Sequence, residues 1–362
     1  MADNTKIEWA DATLNYVNGC SVHSPGCTNC YAMRLAGTRL KHHPSRAGLT
    51  TDTKAGPVWT GVVRENPAAL EQALRWKKPR AIFWNAHGDL FHENVPWEWI
   101  ARNIAACILT PQHRHMILTK RSDRMRAWFD TLSTEGGSDD FCEVIELMAE
   151  SLGREVDGAD WTLPIPNLWL GVSVEDQRRA DERIPDLLGT PAAIRFISAE
   201  PLLGPVDMLS YFDPTGACCG GEPEYRCENC PSDAPWRYSE SSSDGQWAFD
   251  PRLDWVIVGG ESGPGARPMH PDWARSLRDQ CEAAGVAFHF KQWGEWMPTE
   301  YLEGEGESFG NRFLDGSGRW AENFNGPWLT AGPSAGFESY YRVGKTRAGR
   351  LLDGVEHDGV PG

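Results

Sequence analysis

The stretch Leu168-Trp-Leu-Gly-Val172 is followed by Asp176 to Leu188 and then by Ile194-Arg-Phe-Ile197. The first and third segments are short apolar runs typical of buried strands. The middle segment repeats apolar residues every three or four positions, as an amphipathic helix does. A strand, a helix and a strand in this order predict two parallel strands joined by a crossover helix.

The same alternation extends in both directions along the chain. Further strands are predicted at Ala81-Ile-Phe-Trp84, His115-Met-Ile-Leu118, Trp255 to Val258 and Val286 to Phe290, with an N-terminal strand around Thr5 to Leu14. Helices are predicted at Trp97 to Leu109 and Asp272 to Ala284. We therefore predict an α/β fold, a partial or complete (β/α) barrel, with a doubly wound open sheet as the competing layout.

Two gaps between predicted strands are too long for a simple βα unit, so they must contain insertions. Composition places an acidic insertion at about 133–160 and a Gly-, Ser- and Cys-rich insertion at about 211–250. We predict a barrel-like catalytic domain over 1–298 that carries both insertions. A polar, glycine-rich extension follows over 299–362.

Composition narrows the class of protein. The chain has 362 residues and a net charge of 35 − 51 = −16, so it offers no broad basic face for non-specific DNA binding, although a local patch remains open. No apolar run approaches the roughly 18 residues of a membrane-spanning helix. We expect a cytoplasmic protein, in which ten cysteines serve as metal ligands, redox groups or buried thiols rather than disulfides.

The most specific local motif is Cys20-Ser-Val-His-Ser-Pro-Gly-Cys27-Thr-Asn-Cys30, in the loop after the first predicted strand. Three thiolates in a loop bent by Gly and Pro can hold three irons of a [4Fe–4S] cluster and leave the fourth iron open. A zinc site with His23 as fourth ligand is the alternative. Spacing alone does not decide between them.

A second cysteine group, Cys218, Cys219, Cys227 and Cys230, lies in the Cys-rich insertion. Four thiols ending in Cys-x-x-Cys favour a structural zinc knuckle, which would allow a short insertion with few apolar residues to fold. An auxiliary iron–sulfur cluster, or no metal, are the alternatives.

Polar residues follow most of the predicted strands, and the C-terminal ends of parallel strands meet at one face, where such folds place active sites. Each of these residues could equally be a helix cap or a salt-bridge partner. The catalytic candidates are Lys120, Arg121, Glu200, Glu261 and Lys291, and the cofactor-binding candidates are His87, Gly88, Asp89, Ser173, Glu175, Gly259 and Gly260. Lys120 and Arg121 suit a carboxylate or phosphate, and Gly259 and Gly260 would let the backbone approach an adenine or ribose.

These residues carry a resemblance to a known superfamily. The three-cysteine loop after the first strand resembles that of the radical S-adenosylmethionine enzymes. The chain is more closely similar to the phage-associated three-Cys-motif proteins, whose biochemical role is poorly defined. That similarity rests on Lys6 to Asn15, Asp89-Leu-Phe-His-Glu93, Thr119-Lys-Arg121, Gly171 to Asp176, Ser198 to Gly204 and Gly259-Gly-Glu-Ser-Gly263.

The resemblance implies a partial barrel and a [4Fe–4S] cluster held by Cys20, Cys27 and Cys30. Its open iron would bind the amino and carboxylate groups of S-adenosylmethionine, which an electron would cleave to a 5′-deoxyadenosyl radical. His87-Gly88-Asp89 occupies the place of the turn that binds the cofactor's amino group in related enzymes. The chain departs from the superfamily pattern, because six residues rather than three separate Cys20 from Cys27 and Asn29 replaces an aromatic residue.

We therefore hypothesise a phage-encoded radical S-adenosylmethionine enzyme in the host cytoplasm. It would act as an isomerase or lyase on a nucleobase or modified thymine, in DNA hypermodification or repair. DNA or a nucleotide would be the substrate, an external donor would supply electrons, no membrane would be involved, and the oligomeric state is left open. The alternative is a non-catalytic, zinc-stabilised protein that binds nucleic acid or a protein partner.

Overall fold

The computed structural model describes residues 5, 7–134, 136–212, 252–298, 301, 311–315, 320–321 and 337–362, with the backbone alone at 311–315, 320–321 and 337–339. The second cysteine group, Cys218, Cys219, Cys227 and Cys230, lies outside the described residues.

The first half of the chain alternates short strands with helices. In chain order these are β1 (Ala12–Leu14), β2 (Val17–Asn18), a 3₁₀ turn (Pro25–Cys27), α1 (Tyr31–Gly37), β3 (Thr50–Thr53), β4 (Gly56–Trp59), β5 (Arg64–Glu65), α2 (Pro67–Arg75), β6 (Ala81–Trp84), α3 (Trp97–Ile108), β7 (Arg114–Thr119), α4 (Ser122–Thr131) and α5 (Gly137–Ser151).

The second half continues the alternation and ends in antiparallel strands. It contains β8 (Leu168–Ser173), α6 (Gln177–Leu188), β9 (Ile194–Ala199), α7 (Leu209–Phe212), β10 (Trp255–Gly259), α8 (Pro271–Ala284), β11 (Ala287–Gln292), β12 (Trp296–Pro298), β13 (Asn311–Asp315), β14 (Trp320–Ala321), β15 (Phe337–Arg342), α9 (Lys345–Ala348), β16 (Leu351–Leu352) and β17 (Val355–Glu356).

The main sheet contains seven parallel strands in the order β1-β6-β7-β8-β9-β10-β11. This order follows the chain without the reversal that defines a doubly wound sheet. The fold is therefore mixed α/β, with a parallel sheet flanked by helices, compatible with a partial (β/α) barrel. The predicted strands and helices are confirmed, although the N-terminal strand is shorter than predicted and covers only Ala12–Leu14.

The described chain forms two compact units, and their boundary lies inside the predicted barrel domain. The first unit holds β1, β6 and β7 and the second holds β10 and β11, while β8, in its last residue, and β9 continue from the first unit into the second. All six residues of β8 are buried, as expected of a strand covered on both faces.

The acidic insertion and the C-terminal extension contain regular structure that the sequence pattern left unassigned. In the insertion, α5 buries Phe141, Ile145 and Ala149, which recur every four residues along one helix face. In the C-terminal region, β12, β15, β13 and β14 form an antiparallel sheet in that order, and β16 pairs with β17. Among the described residues, no helix combines the length and the apolar character needed to cross a membrane.

We predict that Gly171→Ala destabilises the protein by about 1–3 kcal/mol, measured as the free energy of unfolding in urea. A Cβ at Gly171 would lie 2.5 Å from the ring of Phe196, which is fully buried and has little room to move. Gly204→Ala is the matched control, because its Cβ would meet only Asp176 at an ordinary 3.6 Å. Equal stability of the two variants would contradict this account of the sheet.

Candidate active site

The cysteine-bearing loop leaves β2 through a residue that must be glycine. Gly19 has φ +96°, and a Cβ there would lie 2.2 Å from the carbonyl oxygen of Val62. The 3₁₀ turn Pro25–Cys27 follows, and the Cys30 N–H donates to the Cys27 carbonyl at 3.2 Å. The close backbone approach and the positive φ at Gly19 together set the direction in which the loop begins.

The three cysteines of this loop lie near one another. Cys20 and Cys30 both pack against one apolar cluster, made of Ala32, Met33, Ala36, Leu49 and Trp59. Cys27 is buried in the same loop, and its Sγ lies 3.9 Å from the hydroxyl of Ser24. The three thiols that the sequence predicts as metal ligands therefore lie in one loop, with two of them against the same apolar cluster.

The surroundings of these thiols disfavour free thiolates. Burial raises the pKa of Cys20 to about 12, and the charge of Asp89 raises it further while Arg121 opposes the rise. Burial also raises the pKa of Cys30, against hydrogen bonds from the backbone of Met33. Cys20 and Cys30 are therefore protonated near neutral pH unless a bound cation stabilises their charged forms.

The donor chemistry suits a thiophilic metal centre, because soft thiolates select zinc, copper or an iron–sulfur cluster. In their present positions, however, no three His, Cys, Asp or Glu side chains of the described residues are arranged to hold a metal ion. His23 also fits by its chemistry, since partial burial and the charges of Arg121 and Arg183 lower its pKa and neutral imidazole is the form that binds zinc.

Arg121, which follows β7, links the cysteine loop to two carboxylates. Its Nε donates to Glu93 at 2.9 Å, and its Nη1 donates to Asp89 at 3.1 Å and to Cys20 Sγ at 3.6 Å. Its Nη2 donates to Ser21 Oγ at 2.7 Å. Burial alone would lower the pKa of Arg121. The pKa nevertheless lies above its usual value, because the guanidinium is close to Asp89, Cys20 and Glu93. The guanidinium predicted to bind a substrate anion is thus neutralised within the chain.

Asp89 joins the ends of β6 and β7. Its carboxylate accepts hydrogen bonds from Phe91 N at 3.0 Å, Thr119 Oγ1 at 2.7 Å and Lys120 N at 3.1 Å, besides the bond from Arg121. The sequence offered Asp89 as a ligand for the cofactor's amino group. The structure gives this carboxylate a positioning role, because it fixes the backbone on which Lys120 and Arg121 stand.

Glu93 and His92 belong to this network, although sequence reasoning did not include them among the site residues. Glu93 accepts from Ser21 Oγ at 2.8 Å, and His92 Nε2 lies 3.1 Å from the same hydroxyl. Burial alone would raise the pKa of Glu93, but hydrogen bonds from its own backbone, Arg121 and Ser21 lower it to about 2. The sequence signal that could have identified His92 and Glu93 is their place in the motif Asp89 to Glu93, which follows β6 closely.

His87 and Gly88 bring the end of β6 against the strand that leads into the cysteine loop. The His87 N–H donates to Asn15 Oδ1 at 2.9 Å, and its Nδ1 lies 2.7 Å from Arg46 Nη2. Burial and the charge of Arg46 lower the pKa of His87 to about 4, so the ring is neutral at pH 7. A Cβ at Gly88 would lie 2.5 Å from the Val17 carbonyl oxygen, so this glycine permits a close backbone contact.

In the second unit, three of the predicted site residues contact one another. Lys291 Nζ lies 3.0 and 3.1 Å from the two carboxylate oxygens of Glu200. Ser198 Oγ donates to Glu200 at 3.3 Å, and a Cβ at Gly259 would lie 2.4 Å from the same carboxylate. Gly259 therefore leaves room for Glu200, and its predicted contact with adenine or ribose stays a prediction.

The other predicted residues of the second unit have structural contacts. Glu261 accepts from Arg267 through both oxygens, including 2.6 Å to Nη2. A Cβ at Gly260 would lie 1.9 Å from the Trp293 carbonyl oxygen, so this glycine allows two backbone segments to meet. Ser173 and Glu175 are buried, and the Glu175 carbonyl accepts from Leu203 N at 2.7 Å.

We predict that Arg121→Gln lowers the free energy of unfolding by about 3–5 kcal/mol, because it leaves the buried carboxylate of Asp89 without its counter-ion. Arg178→Gln is the control, since its ion pair with Glu182 has exposed side chains and solvent-exposed pairs contribute little to stability. Chemical unfolding of both variants measures the difference. A loss for Arg121→Gln no larger than the loss for Arg178→Gln would contradict the central position of Arg121.

A scan against family models matched residues 4–361, nearly the whole chain, to a family described as a protein of unknown function, DUF5131. Comparisons with curated proteins and with solved structures found no match. The chain belongs to the DUF5131 family.

Proposed function

We propose that this protein is a radical S-adenosylmethionine enzyme with a radical-SAM-like partial barrel. Cys20, Cys27 and Cys30 would hold a [4Fe–4S] cluster with one open iron. One observation carries the proposal: a single loop bears three thiols, of which Cys20 and Cys30 pack against one apolar cluster and Cys20 contacts Arg121 beyond the end of β7. The order of the parallel sheet also supports it.

The residues around the loop have defined tasks in this proposal. Arg121 holds the first cysteine in place through its N–H···S contact with Cys20, and its positive charge favours the thiolate over the thiol. Asp89 and Glu93 hold Arg121 from the other side. A bound cluster would pass on an electron from the external donor to cleave the sulfonium of S-adenosylmethionine.

The class of substrate in this proposal comes from the resemblance to phage-associated proteins. The substrate would be a nucleobase or modified thymine, in DNA or in a nucleotide, and the chemistry would be that of an isomerase or lyase in DNA hypermodification or repair. An external donor in the host cytoplasm would supply the electron. In the first unit, the candidate for a contact with substrate is Lys120. In the second unit, the candidates are Glu200 and Lys291.

The experiment that tests this function is anaerobic reconstitution of the full chain with iron and sulfide, followed by metal analysis. We expect about four irons per chain and cleavage of S-adenosylmethionine under dithionite. Cys27→Ser should lose most of the iron and all cleavage, because it removes one of the three ligands.

Cys142→Ser is the matched control, since Cys142 is a partly buried free thiol on α5, outside the loop. It should retain both the iron and the cleavage. Stoichiometric zinc without iron, or full iron content in Cys27→Ser, would contradict the proposal, and zinc would favour the non-catalytic alternative.

A further inference from the structure

Arg46 is a buried cation in the first unit, in the segment between α1 and β3. It is 7% exposed. Its Nη1 donates to the Ser45 carbonyl at 3.2 Å and to Ser45 Oγ at 3.0 Å, and its Nη2 lies 2.7 Å from His87 Nδ1. A guanidinium has five N–H groups, and these contacts use three of them.

No carboxylate within the described ranges forms an ion pair with Arg46. Among the described residues, the hydrogen bonds of Arg46 go to Ser45 and His87. Arg64 donates to the carbonyls of Pro44 and Ala47, each at 2.8 Å, so it contacts the same short segment. Burial and the positive charge of Arg64 lower the pKa of Arg46, against an opposing effect of Tyr31. Within the described part of the chain, the hydrogen-bond partners of the two arginines are thus carbonyl, hydroxyl and imidazole groups.

Burying a cation without a counter-ion is unfavourable. Arg121 illustrates the usual solution, since two carboxylates compensate its charge. The contrast between the two buried arginines points to an anion beyond the described residues as the partner of Arg46.

This arginine lies beside the cysteine loop. The residue that contacts it, His87, accepts a hydrogen bond from Gly19 N at 3.0 Å through its carbonyl, and Gly19 directly precedes Cys20. Tyr31 directly follows Cys30, its hydroxyl donates to the Ala86 carbonyl at 2.9 Å, and its ring packs edge-on against His87 at 5.9 Å. Tyr31 is 56% exposed, so this side of the arrangement faces solvent.

We infer, on the basis of the proposed function, that Arg46 with Arg64 beside it binds a phosphoryl group of the substrate. A guanidinium presents two N–H groups side by side, in a geometry that matches two phosphate oxygens. A phosphate ester also carries enough negative charge to compensate two adjacent arginines. The phosphoryl group belongs either to a free nucleotide or to the backbone of DNA, and binding next to the thiol loop would hold the attached base near it.

The test uses the full chain purified without iron, so its outcome does not depend on the cluster. Inorganic phosphate, thymidine monophosphate and a short single-stranded oligothymidylate are titrated by calorimetry. We expect the native chain to bind phosphate and at least one of the two thymidine ligands. Tighter binding of the monophosphate identifies a nucleotide site, and tighter binding of the oligonucleotide identifies DNA. Arg46→Gln should weaken binding by about tenfold or more, because it removes a charge-assisted contact.

Lys41→Gln is the matched control, because Lys41 lies in the same segment but is already ion-paired with Asp52. Its affinity for phosphate should stay within about twofold of the native value, since screened surface charges contribute little. Arg46→Lys, which keeps the charge and loses the paired N–H geometry, should fall between the native chain and Arg46→Gln.

Thermal unfolding separates ligand binding from a merely structural role. Phosphate should raise the unfolding temperature of the native chain and not that of Arg46→Gln. In phosphate-free buffer, Arg46→Gln should be at least as stable as the native chain, because the variant removes an uncompensated buried charge. The inference would be overturned if the native chain bound none of the three ligands. It would also be overturned if Lys41→Gln weakened phosphate binding as much as Arg46→Gln does, or if Arg46→Gln were less stable than the native chain in phosphate-free buffer.

Discussion

The buried ion pair between Arg121 and Asp89 fixes the part of the first unit on which the candidate site depends. Asp89 ties the end of β6 to the end of β7 through Thr119 and Lys120. Arg121 then extends from that junction to Ser21 and Cys20 in the thiol loop. Because both partners are almost completely removed from water, removing either one would leave the other as an uncompensated buried group. A single interaction therefore couples the ends of two parallel strands to the loop that carries the cysteines.

The charges around the loop bear on the metal centre proposed for it. Arg121 is shared between Asp89 and Glu93, so it is already compensated before any thiolate forms. Burial raises the pKa of Cys20 and Cys30, so deprotonating them needs additional positive charge. The proposed metal centre would supply that charge. The surroundings of Arg46 are the opposite, since a positive charge there needs an anion.

The sequence predicted the parallel sheet well because apolar runs and helical periodicity are local properties. The strands from β6 to β11 and the helices α3, α6 and α8 lie where the patterns placed them. The helix α5 was missed because its acidic composition suggested a loop, although Phe141, Ile145 and Ala149 have helical spacing.

The roles of individual residues at the strand ends were harder to predict. Topology alone places Asp89, Arg121 and Glu200 after strands, but it does not say which charges meet. The pairing of Arg121 with Glu93, and that of Lys291 with Glu200, depend on three-dimensional distances. The sequence did not show that Gly259 and Gly88, which it predicts to bind cofactor, also leave room for Glu200 and for the backbone of Val17.

The central claim is that three thiols of one loop hold a cluster with an open iron. Electron paramagnetic resonance of the reconstituted, dithionite-reduced full chain tests it most directly, with spectra recorded before and after addition of S-adenosylmethionine. We predict the signal of a reduced [4Fe–4S] cluster whose g values change when the molecule binds. An iron-loaded chain whose spectrum is unaffected by S-adenosylmethionine, or a chain that takes up only zinc, would contradict the claim.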